Sequence, residues 1–122
     1  MGMQRFGVRT FWAQRRVCRR LGVPSLRPGP GTITGVALGR ATELEPLNAI
    51  RHLPVGQSNG WYVWRGGQIP QDDDEFFSPV HIEHAKDHFP GLLPYLALPP
   101  GFGVILAPGY EDVWQDQGLL DP

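Results

Sequence analysis

Cysteine is nearly missing from this 122-residue chain: Cys18 stands alone. A single thiol closes no intrachain disulfide and builds no cysteine-based zinc cage, so a reducing compartment is the simplest reading. Long apolar runs are also missing. Nothing approaches the roughly 20 consecutive apolar residues of a membrane span. The basic N-terminus is not followed by the apolar run of about 7–15 residues that marks a secretory signal. Arginine pairs at 15–16 and 19–20 resemble a twin-arginine signal, but Val17, Cys18, Leu21, Gly22, Val23 and Pro24 do not make its hydrophobic segment.

Carboxylates are absent from the first forty residues. Arg5, Arg9, Arg15, Arg16, Arg19, Arg20, Arg27 and Arg40 give that segment +8, whereas residues 41–122 set Arg51, Arg65 and Lys86 against all twelve acids, for −9. The near-neutral total of −1 therefore hides a strong polarity. The length suits one domain. This polarity divides it into a basic N-terminal arm, 1–40, expected to be poorly ordered apart from a short helix, and a single acidic domain, 41–122. In the arm, Thr10 can cap a helix through Phe11, Trp12, Val17 and Leu21, with Gly22 and Pro24 as its stop. Nucleic acid is an expected partner only through this arm. An acidic domain favours a basic partner by electrostatic steering.

Within the acidic domain, Trp61-Tyr62-Val63-Trp64 reads as a strand after an Asn59-Gly60 turn, because aromatic and β-branched residues suit a pleated surface. Ile33 to Leu38 is a weaker strand candidate, and Glu43 to Arg51 fits either a helical turn or an extended lead-in. Ser78 as N-cap, Pro79 at the first helical position, and a Phe77/Ile82 staple predict a helix from Ser78 to about His88. A short helical stretch follows over Leu92 to Leu98, broken by Pro99-Pro100-Gly101. Phe102 to Ala107 and Tyr110 to Gln115, joined at Pro108-Gly109, predict an antiparallel hairpin. The fold class is α+β, a small antiparallel sheet with one or two helices packed on one face.

Residue chemistry is sparse. His81, His84 and His88 would share one face of the expected helix and could hold a metal, which would make a small metal-dependent enzyme the rival reading. Their spacing is not the zincin signature: His81-Ile82-Glu83-His84 is one residue short, and Ala85-Lys86-Asp87 between His84 and His88 lacks the general-base glutamate. The run Asp72, Asp73, Asp74, Glu75 lacks the order of a calcium loop and serves better as an acidic recognition surface. Glu111 and Asp112, neighbours in a strand, point to opposite faces and cannot share an acid–base site. No phosphate loop, nucleophile elbow or cofactor motif is present, and no cofactor is expected. The tryptophans Trp61, Trp64 and Trp114 read as core or interface anchors.

Four separated blocks, Asn59 to Gly66, Asp74 to His84, Tyr95 to Phe102 and Gly109 to Trp114, resemble small bacterial immunity proteins of polymorphic toxin systems, over roughly residues 44–120. In this resemblance Trp61, Trp64, Ser78, Pro79, Pro99, Pro100, Gly101 and Trp114 make up the structural motif. It implies a cytoplasmic, non-catalytic protein that binds and blocks a cognate toxin. The acidic surface of 41–122 is compatible with a basic toxin, with Asp72, Asp73, Asp74, Glu75, Glu111 and Asp112 as candidate contacts. Ala85 and Phe102-Gly103 depart from the family's usual residues, and residues 1–40 match none of its motifs.

Overall fold

The computed structural model describes the backbone of residues 2–40, 43–70, 73, 75–85 and 87–121, and side chains within them from residue 8 onward. Six strands form one sheet: β1 Ile33–Val36, β2 Leu47–Arg51, β3 Ser58–Arg65, β4 Ser78–His81, β5 Phe102–Ala107 and β6 Tyr110–Gln115. Their order across the sheet is β4-β1-β3-β2-β5-β6. All neighbours pair antiparallel except β1 and β3, which run parallel. With helix α1, Gly2–Leu21, the short α2, Ile82–Ala85, and two 3-10 segments, this is an α+β fold.

Strand alternation assigns the two faces. Trp61 and Val63 of β3, Leu47 and Ala49 of β2, and Phe102 and Val104 of β5 are buried on one face. Tyr62, Trp64, Ile50 and Ile105 occupy the other and are only half-buried. The buried face is covered by the stretch from Ala85 to Leu98, whose Phe89, Leu92, Leu96 and Leu98 fill the core. Within that stretch the expected helix over Leu92 to Leu98 is a 3-10 segment, Pro90–Tyr95, with Pro94 inside it.

Helix α1 packs against the same segment. Val17 and Cys18 enter the core, the Gln14 amide donates to the Leu93 carbonyl at 3.0 Å, and Leu26 N–H donates to the Ala97 carbonyl at 2.7 Å. The helix ends where Gly22, at φ +71°, turns left-handed. Gly22 N–H then reaches the Arg19 carbonyl and Val23 N–H the Cys18 carbonyl, a Schellman closure.

Residues 1–40 therefore differ from the expected arm. Their arginines hide an apolar stripe that the core uses, and β1 lies inside the sheet between β4 and β3. Thr10 sits within α1, not at its start. The helix expected from Ser78 also differs. Ser78–His81 is an edge strand whose Gly35↔Pro79 and Val36↔Ser78 pairs join β1, and helix begins only at Ile82. Proline is tolerated on an edge strand because its missing N–H can face outward, so long-range pairing overrides the local cap signal. Phe77 packs edge-on against Tyr62, with centroids 5.2 Å apart, and is no staple. Asn59 and Gly60 lie inside β3, not in a turn before it.

Candidate functional site

β6 places its two carboxylates as strand alternation requires. Glu111 turns toward the helical layer, where both oxygens accept from Arg20, at 3.1 and 3.3 Å, and one also accepts from the Tyr95 hydroxyl. The Tyr95 hydrogen bond, with Arg20 beside it, holds the Glu111 carboxyl below its ordinary range. Burial, reinforced by Glu111, pushes the Tyr95 hydroxyl up to about 12. Glu111 thus ties β6 to α1 and to the 3-10 segment. Asp112 points to the opposite face, half-buried and paired across from Ile105.

Of the acidic run, Asp73 and Glu75 are exposed, while Asp72 and Asp74 lie outside the described residues. Asp73 shapes the turn: its carboxylate accepts the Glu75 N–H at 3.0 Å, and its carbonyl accepts from Phe76 N–H. Arg40 holds the surrounding loop. It donates to the carbonyls of Arg65, at 2.9 Å, and Gln68, at 2.8 Å, and its guanidinium lies 5.0 Å from the Phe76 ring centroid. No local pattern in the sequence marks Arg40 for this role, because its partners are backbone carbonyls distant along the chain.

Between these acids lies the sheet face that no described helix covers. Its aromatic rings form a connected edge-to-face series: His52 with Tyr62 at 5.4 Å, Tyr62 with Phe77 at 5.2 Å, and Phe77 with Phe76 at 4.9 Å and Trp64 at 6.1 Å. Tyr62 rests on Gly35 and the Trp114 indole rests on Gly103, positions where a Cβ would overlap the ring. Glycines in the strands thus let large rings lie flat on the sheet. Of Trp61, Trp64 and Trp114 only Trp61 is fully buried, and its indole N–H donates to the Leu96 carbonyl at 2.9 Å. Trp64 and Trp114 belong to the open face.

The histidines do not share a helical face. His81 ends β4, His84 lies in α2 and His88 follows in a turn, all three exposed. The strand in place of the first helical turn removes the expected alignment. Among the described residues no group of three or more His, Cys, Asp or Glu side chains is placed to hold a metal ion. Glu83, between His81 and His84, instead accepts the Gly31 N–H at 2.8 Å, a bond that lowers its carboxyl below the ordinary range.

Pro99-Pro100-Gly101 positions the entry to β5. Gly101, at φ +98°, donates to the Arg51 carbonyl and accepts from Asp116 N–H, both at 2.8 Å. The open face therefore sets aromatic groups on the sheet, with Asp112 half-buried on it and Asp73, Glu75 and the Arg40 guanidinium beside its Phe76 end.

A family model, the Imm33-like domain, matches residues 13–116. That span takes in the C-terminal part of α1, from Ala13 to Leu21, all six strands and the open face. No curated protein and no solved structure matches the chain.

Proposed function

The chain belongs to the Imm33-like family, an immunity-type family, and from that premise we propose that it neutralises a cognate bacterial toxin by direct, non-catalytic binding in the cytoplasm. The family match across residues 13–116 carries this reading. The open face supports it physically. Tyr and Trp supply large contact areas at little cost in conformational entropy, which is why they dominate the centres of protein interfaces. Tyr62, Trp64 and Trp114 are held by glycine contacts and ring packing, so little ordering remains to be done on docking. Asp112, Asp73 and Glu75 would steer and orient a basic toxin domain. No described helix is long and apolar enough to cross a membrane.

The test is titration of a cognate toxin domain with the purified protein. Blocking by binding predicts an end point at one protein per toxin and a stable complex on size-exclusion chromatography. Inactivation by substoichiometric protein would show turnover and sink the non-catalytic reading. Asp112→Lys with Glu75→Lys should weaken the complex while leaving the fold intact, since both side chains lie outside the core.

A further inference from the structure

We propose that the outward face of α1 binds single-stranded nucleic acid, through arginines arranged around Trp12. This activity is independent of toxin neutralisation. Among the described residues the helix meets the rest of the protein along one side. Gln14, Val17 and Cys18 are buried against the protein, with Leu21 packed against the core. Helical geometry turns Val8, Arg9, Trp12, Arg15, Arg16 and Arg19 outward, and all six are exposed. Trp12, at the centre of this face, is 54% exposed.

No Asp or Glu occurs anywhere in Gly2–Leu21, so the helix has no acidic partner of its own. Among the described residues only Arg20, at the flank, forms an ion pair, and it does so with Glu111. Arg15 and Arg19, like Arg16 and Arg20, stand at i,i+4, where like charges weaken a helix. A row of guanidinium groups without ion-pair partners among the described residues, about 15 Å long from Arg9 to Arg19 at the helical rise, is complementary to a polyanion.

Three features favour nucleic acid over other anionic partners. The charges are all arginine, whose planar fork binds phosphate bidentately. Trp12 offers an exposed ring on which an unpaired base can stack whatever its identity. A membrane surface would engage the apolar face of such a helix, and here that face is buried in the protein's own core.

The full-length protein is to be titrated, by fluorescence anisotropy, against a labelled oligothymidylate of about a dozen nucleotides, a duplex of the same length, and polyglutamate. Four arginine–phosphate contacts predict that log K falls with log salt at a slope of about −3 for the single strand. Arg9→Gln/Arg16→Gln/Arg19→Gln should reduce that slope to about −0.7, and the corresponding lysine variant should keep it. Trp12→Ala should weaken binding roughly 5- to 100-fold with the slope unchanged. The substituted side chains are exposed, so thermal midpoints should stay near that of the parent. No binding to the oligonucleotide at low salt, a slope indifferent to the glutamine variant, tighter binding to the duplex, or retention by polyglutamate alone would each overturn the proposal.

Discussion

Arg51 and Trp61 face each other across the β2–β3 pair, and both donate to one carbonyl, that of Leu96: the indole N–H at 2.9 Å and a guanidinium N–H at 3.4 Å. The guanidinium lies 5.6 Å from the Trp61 ring centroid. It also donates to Asn59, at 3.0 Å, Leu98, at 2.8 Å, and Leu26, at 2.6 Å. Burial pushes Arg51 down to about 10, which leaves it charged at neutral pH. One buried cation thus joins β2, β3, the chain after α1 and the segment over the sheet, with carbonyl dipoles in place of a carboxylate.

Replacing Arg51 by Met should cost about 3–5 kcal/mol, because several buried carbonyls lose their donor together. Arg51→Lys should recover less than half, since one ammonium cannot reproduce the fork. Urea unfolding of the three proteins measures this, and a loss below about 1 kcal/mol for Arg51→Met would show the network to be dispensable.

Gly60 sits inside β3 at φ +92°, with the His52 carbonyl oxygen where a Cβ would project. Gly60→Ala should therefore cost about 3 kcal/mol or more from combined strain and overlap. Gly109, also left-handed but with open space around it, should cost only about 1–2 kcal/mol as Ala. The two thermal midpoints should separate clearly in that order.

The Cys18 thiol is buried and its ionisation is pushed up, mainly by desolvation. Its reaction with iodoacetamide in the native protein should thus be far slower than in urea, and limited by opening of the structure. Val17→Ala, which loosens the helix beside it, should accelerate labelling. Native labelling as fast as that of the unfolded chain would contradict the docked position of α1.

Glu111 and Tyr95 should give opposite pH signatures. The folded Glu111 carboxyl lies below its ordinary range, so its contribution to stability is complete above the unfolded value, about 4.3, and is lost as pH falls through the folded value. Tyr95 is raised to about 12, so its contribution is complete below about 10 and is lost as pH rises through about 12. Glu111→Gln should flatten the acid limb of a stability–pH curve, modestly because solvent screens the exposed pair. Tyr95→Phe should flatten the alkaline limb of the same curve.

Several elements were legible in the residues. Alternation in Trp61 to Trp64 and the Pro108-Gly109 turn identify β3 and the β5–β6 hairpin, because each depends on neighbours in sequence. The separation of Glu111 from Asp112 follows from the two-residue period of a strand, and the separated motif blocks point to the family shown by the match. β4 was not legible, because Ser78-Pro79 resembles a helix start and its partner β1 lies far away in the chain. The open aromatic face was equally hidden: nothing local distinguishes Trp64 from Trp61.

The sequence by itself determined the charge polarity, the single thiol, the alternating strands and the glycines that admit large rings. Tertiary structure decided that the arginine-rich segment joins the fold, which face of the sheet stays uncovered, and that Arg51 is buried while Arg9, Arg15, Arg16, Arg19 and Arg20 are exposed. The physical reason is range. Backbone preference and periodicity act over a few residues, whereas burial depends on which distant segments meet, and only that meeting turns the same residue type into core, clamp or surface.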